Sequence, residues 1–118
     1  DYSVLGHLDL IQRYNKTIYP FEKSRHIITK ILEKVIKDNK GIEVNTSSFA
    51  YKLKDFTPSR EILKLYYELG GKIITIGSDS HKAESIGSHI SFIQQELKEI
   101  GFSHFCTFDR MRAVFHGL

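Results

Sequence analysis

Two short segments each carry an imidazole and a carboxylate two residues apart: Gly6-His7-Leu8-Asp9 and Gly77-Ser78-Asp79-Ser80-His81. Each follows an apolar, strand-like run, Val4-Leu5 in the first case and residues 73–76 in the second. Carboxylates and imidazoles are hard and borderline ligands for divalent metals. Residues i and i+2 of an extended chain project to the same side, so Asp79 and His81 are expected on a common edge and a divalent-metal site is the first expectation. Gly-Ser-Asp is also ordinary turn chemistry, in which Asp accepts backbone N–H bonds and caps the next helix. Both readings stand on spacing alone. A third acidic residue, Glu43, lies inside the β-like run Gly41-Ile42-Glu43-Val44-Asn45, where a carboxylate is tolerated only when paired or bound.

The elements that must position these groups alternate. Strands are expected at residues 3–6, 42–45, 72–76 and 103–107. Between them, a helix over 20–38 is read from Ile27, Ile28, Ile31, Leu32, Val35 and Ile36, spaced by three and four and closed by Asn39 and Gly41. Thr57 as cap and Pro58 as first residue open a helix to Leu69, stopped by Gly70-Gly71. A third helix is expected over 83–100, with Ile86, Ile90, Ile93 and Leu97 on one face, and a last helical turn from Asp109. Strands separated by helices pair in parallel, so the fold class is α/β and the strand exits lie side by side. His7, Glu43, Asp79 and His81 then converge on the carboxyl edge, where α/β enzymes carry their chemistry.

With 118 residues the chain is one domain at most and too short for a closed eight-stranded barrel. Hydrophobic residues make up 41% and charged ones 26%, a globular composition that argues against disorder. The net charge of +3 comes from scattered lysines and arginines, with no dense basic stretch to mark a nucleic-acid groove. Cys106 is the one cysteine, which excludes an intrachain disulfide and suits a reducing compartment. No apolar run approaches a membrane span and the start shows no signal pattern, so a cytoplasmic protein without membrane contact is expected.

Three stretches taken in order resemble a known family: Val4-Leu5-Gly6-His7-Leu8-Asp9-Leu10-Ile11-Gln12-Arg13-Tyr14, Gly41-Ile42-Glu43-Val44-Asn45-Thr46-Ser47, and Ile76-Gly77-Ser78-Asp79-Ser80-His81. They look like the carboxy-terminal half of a polymerase-and-histidinol-phosphatase (PHP) domain, nearest its histidinol-phosphatase branch. The resemblance implies that residues 1–118 are one partial domain, the last three or four βα units of a distorted (β/α)7 TIM-like barrel. It also implies a trinuclear centre of zinc, manganese or iron, and hydrolysis of a small phosphomonoester such as L-histidinol phosphate. By the same resemblance His7, Asp79 and His81 match metal-ligand positions, and Glu43 and Asn45 match a strand motif that lines the site.

The family's opening His-x-His motif and its next His and Glu ligands have no counterpart here, so the resemblance implies an incomplete metal centre within these residues. Where the branch carries a phosphate-binding Arg after Asn-Thr-Ser, this chain has Ala50, with Lys52 and Lys54 close behind as substitutes. Arg13, six residues after His7, is a candidate phosphate clamp because a guanidinium holds phosphate bidentately; a surface arginine is the plainer reading. Asp9 is a candidate to orient His7 or to protonate the leaving alkoxide, and a helix cap is its plainer reading. Glu43 can equally be a paired carboxylate at a strand end, and Asn45 a turn residue. A PHP-type nuclease is the alternative within the fold. A non-catalytic assembly module, joined into a homo-oligomer through an open barrel edge, is the alternative outside it.

Overall fold

The computed structural model describes residues 1–15, 19–53 and 55–118, so Lys54 lies outside the described residues. Three short strands, β1 (Val4–Leu5), β2 (Gly41–Asn45) and β3 (Ile74–Gly77), form a parallel sheet in the order β1-β2-β3. The register aligns Leu5 with Ile42, Ile42 with Ile74, and Asn45 with Gly77. The helices α1 (Phe21–Lys37) and α2 (Arg60–Glu68) form the crossovers, and α3 (Ile90–Ile100) follows β3. Apolar side chains of β2 and β3 meet the helices in one core, where Leu32, Ile42, Leu63, Ile74, Ile93 and Leu97 are fully buried. No helix among the described residues is long and apolar enough to cross a membrane.

The expected α/β alternation is present, with three local departures. The helix expected from Pro58 begins at Arg60, and Thr57 does not cap it. Thr57 instead pairs with Asn45, through Asn45 N–H to its carbonyl (2.7 Å) and its own N–H to the Asn45 carbonyl (3.3 Å). The cap falls to Asp55, whose carboxylate accepts from the N–H groups of Phe56 and Arg60, each at 2.9 Å.

The helix expected over 83–100 is divided. Ala83–Ser85 is a single 3₁₀ turn, Gly87 and His89 are left-handed at φ 72° and 62°, and α3 starts only at Ile90. Serine hydroxyls capture the backbone groups a helix would need. Ser80 and Ser88 donate to the Ser85 carbonyl, and Ser78 accepts from Gly87 N–H.

The last helical turn from Asp109 is a strand instead. β4 (His104–Asp109) and β5 (Arg112–Gly117) pair antiparallel around Arg110 and Met111, both left-handed at φ 46° and 66°. Two left-handed residues make the two-residue turn whose twist matches the strands, and Arg-Met lacks the Asn-Gly signature that normally betrays it. The hairpin spans the amino ends of the parallel sheet. The Cys106 thiol meets the backbone of Ile74 at the start of β3, and Ser3 Oγ donates to Met111 Sδ (3.4 Å) just before β1.

The apolar face predicted for α1 is only partly covered. Leu32 and Val35 are buried, whereas Ile27 is 53% exposed. With Tyr2, Leu5 and Ile31 it lines a groove of about 470 Å³ beside the free edge of β1.

Candidate active site

The carboxyl edge of the sheet concentrates residues in the left-handed region: His7, Asp9, Asp79 and His89 have φ of 52°, 72°, 48° and 62°. Each such non-glycine residue costs on the order of 1 kcal/mol and persists only where its surroundings fix it. The turns also change the expected geometry. Asp79 and His81 do not project from one extended strand, yet the turn still brings His81 Nε2 to 3.8 Å from Asp79 Oδ1.

His7 does not complete a metal group with that pair. Among the described residues no three His, Cys, Asp or Glu side chains come close enough to hold a metal ion, so the trio expected as ligands is not closed on one point. Catalytic zinc takes three protein ligands, and Asp79 with His81 would make two, so a third donor would have to come from outside the pair.

Asp9 turns away from His7, and no hydrogen bond joins them. It accepts from Gln12 Nε2 (3.3 Å) and lies near the backbone of Ser59, next to the start of α2. Burial pushes its carboxyl above the ordinary value, and the nearby Asp55 and Glu61 carboxylates push in the same direction. The expectation that Asp9 orients His7 is thus corrected: the left-handed turn at Asp9 swings its side chain onto the neighbouring helix.

The exit of β2 is the ordered part of the site. Glu43 lies between Gly6 and Gly77. A Cβ on Gly77 would stand 2.8 Å from Glu43 Oε1, and one on Gly6 would stand 3.2 Å from Oε2. Two strand positions without side chains thus leave room for one carboxylate. Asn45, 1% exposed, accepts at Oδ1 from Ser47 N–H (2.9 Å) and Ser47 Oγ (2.6 Å), and its Nδ2 points to Glu43 Oε2 at 3.5 Å.

Arg13 ends the 3₁₀ turn Leu10–Arg13 after β1 and reaches this cluster from the neighbouring strand. Its Nη2 donates to Ser47 Oγ (2.7 Å) and its guanidinium lies 4.0 Å from the centre of the Tyr51 ring. Its Nε–H is buried without a protein partner. Lys52, expected as a substitute cation, is an exposed left-handed residue at φ 58° whose ammonium bonds no group among the described residues. Ser47 and Tyr51 are the members that the sequence did not mark for this role. The Arg13–Ser47 contact spans 34 positions, and no local pattern encodes it.

The two neighbouring exits are tied together. Thr46 Oγ1 donates to the Ser88 carbonyl (2.8 Å), Thr46 N–H to the Gly77 carbonyl (2.8 Å), and Phe49 packs on His89 with ring centres 4.9 Å apart.

No family model matches the chain. It is 38% identical over 103 residues to a probable histidinol-phosphatase of Thermotoga maritima, covering 87% of this chain and 43% of the relative. It is 34% identical over 117 residues to the histidinol-phosphatase of Lactococcus lactis, covering 95% of this chain and 42% of the relative. The crystal structure of the histidinol phosphate phosphatase from Lactococcus lactis, complexed with zinc, L-histidinol and phosphate, superposes with a TM-score of 0.73 at 27% identity. That match covers 97% of this chain and 44% of the other. The chain thus spans less than half the length of the curated relatives it matches. Its three parallel strands and their helices are part of an α/β barrel, as the resemblance implied, and over most of its length the chain is similar to histidinol-phosphatases, consistent with the wider PHP group.

Proposed function

We propose that the protein to which these residues belong is a metal-dependent phosphomonoester hydrolase acting on L-histidinol phosphate in the cytoplasm, and that this stretch, one part of a single domain, holds the phosphate. One observation carries the reading. The Arg13 guanidinium carbon lies 4.0 Å from the Tyr51 ring centre and its Nε–H has no protein partner, so the side chain is held in place with donor capacity left for a dianion. The neighbour, which binds L-histidinol and phosphate together, aligns over nearly all of this chain.

A divalent cation would neutralise phosphoryl oxygens and supply a nucleophilic hydroxide. Zinc, present in the neighbour, is the first choice, with manganese or iron and a trinuclear arrangement the wider family expectation. His7, Asp79 and His81 are proposed as this stretch's share of the donors; the rest of the set would come from other residues. Arg13 binds and orients the phosphate. Glu43 and Asn45 line the wall beside it. Asp9, held against α2, is assigned to fixing the turn that carries Arg13 and not to proton transfer.

The test is phosphate release from L-histidinol phosphate with added Zn²⁺ or Mn²⁺. The chain alone is compared with a chimera in which the amino-terminal part of the Lactococcus lactis relative precedes it. Turnover by the chimera, lost in Arg13→Gln, is expected. A chimera that binds zinc but releases no phosphate would sink the substrate assignment.

The groove beside the free edge of β1 favours one further reading. That face would be covered in the working protein by another strand–helix layer, from the rest of a barrel or from a second copy. A monomer in light scattering with an unchanged Ile27→Asp variant would argue against the second copy.

A further inference from the structure

The hydrogen bonds at the exit of β2 all run one way. Arg13 Nη2 donates to Ser47 Oγ, Ser47 Oγ donates to Asn45 Oδ1, and Asn45 Nδ2 is directed at the Glu43 carboxylate. A serine hydroxyl has one hydrogen; with it committed to Asn45, only lone pairs face Arg13. The Asn45 oxygen takes two donors, Ser47 N–H and Oγ, which fixes which end of the amide is oxygen. The backbone of Asn45 is clamped to Thr57 through both of its polar groups. The series therefore has a fixed polarity, from a guanidinium at one end to a carboxylate seated between Gly6 and Gly77 at the other.

We infer that Ser47 and Asn45 are positioning residues for the phosphate clamp, with Glu43 as the terminal acceptor of the series and not a substrate contact. The inference rests on the reading of Arg13 as the clamp. Engaging one Nη and holding the guanidinium carbon 4.0 Å from the Tyr51 ring centre restricts its rotation, so that the remaining N–H groups are held in one arrangement before an anion arrives. Without Ser47 the same arginine would still carry its charge but would have to be ordered by the ligand at each binding event.

The test uses the chain as it stands, following the Arg13 Nε–H signal by ¹H–¹⁵N NMR and titrating inorganic phosphate. In the unaltered protein that signal is expected to be protected from exchange and to shift with phosphate. Ser47→Ala is expected to lose the protection and weaken phosphate binding about tenfold, as for one hydrogen bond to a charged group. Ser47→Thr, which keeps the hydroxyl, is expected to restore both.

Should Ser47→Ala not fold, Glu43→Gln keeps the shape and removes the terminal charge, and a loss of about threefold is expected there. Unchanged Arg13 protection in either variant overturns the positioning role, and so does a Thr variant as impaired as Ala while still folded. Unchanged phosphate affinity in Arg13→Gln overturns the clamp reading itself and the inference with it. That failure is distinguishable, because Ser47→Ala would then still alter the Arg13 signal.

Discussion

At the end of β2, Asn45 is 1% exposed and both ends of its side-chain amide have partners; at the end of β3, the His81 imidazole is 85% exposed and Asp79 is its ionic partner among the described residues. Both exits lie on one edge and are bridged by Thr46, yet one is finished and the other open. The difference follows from where the partners come from. Arg13, Ser47, Asn45 and Glu43 all belong to this stretch and bond one another, which leaves the Arg13 Nε–H without a partner among the described residues. Asp79 and His81 have only each other within reach, and a catalytic zinc would need a third protein ligand. The β2 exit is thus tied together by its own side chains, and the β3 exit is not.

The contrast breaks first at Asn45. Asn45→Leu is expected to cost about 2–4 kcal/mol in urea unfolding, because it strands the Ser47 N–H and hydroxyl together and removes the amide donor directed at Glu43. A loss below about 0.5 kcal/mol would mean that the β2 exit is not ordered by this residue.

Gly77→Ala should cost about 1–3 kcal/mol, since its Cβ would stand 2.8 Å from Glu43 Oε1. Adding Glu43→Ala should return most of that loss; a double variant as unstable as the two losses summed would show that the carboxylate is not what Gly77 makes room for.

Beneath both exits, burial pushes the Tyr66 hydroxyl up to about 12, against an ordinary value of 10, while it donates to the Ile73 carbonyl (3.1 Å). Its neutral form is the one favoured by folding. That stabilisation is complete below pH 10 and is lost as pH rises towards 12, on the order of 2 kcal/mol across the window. Thermal unfolding of Tyr66→Phe should lack this alkaline slope, and an identical slope in both proteins would reassign it.

The smallest effects belong to the open exit. Asp79→Ala and His81→Ala should each shift stability by no more than about 0.5 kcal/mol in the metal-free chain. A loss above about 1.5 kcal/mol from either would show that the β3 exit is structurally committed after all, and would erase the contrast.

The alternation of strands and helices was readable because Leu32, Val35, Ile62, Leu63, Ile93 and Leu97 keep helical spacing and face the core. The hairpin was not, because Arg110 and Met111 adopt a left-handed turn that their side chains do not advertise. At the site, residue identity was legible but direction was not. His7, Asp9 and Asp79 each take φ above zero, which rotates a side chain away from where an extended chain would aim it. Asp9 consequently faces α2, and Arg13 finds a partner 34 residues away. Such long-range pairing depends on the register of β1 on β2, which no spacing within either segment records.

The hairpin under the sheet bears on the order in which the molecule assembles. Ser3 and Met111 are 108 positions apart, and their contact adds to the bond from Gly41 N–H to the Ser3 carbonyl at the amino end of β1. Closing so long a loop is slow and is rewarded late. The Ser3–Met111 contact is therefore expected to be among the last to form, after β1 has paired with β2.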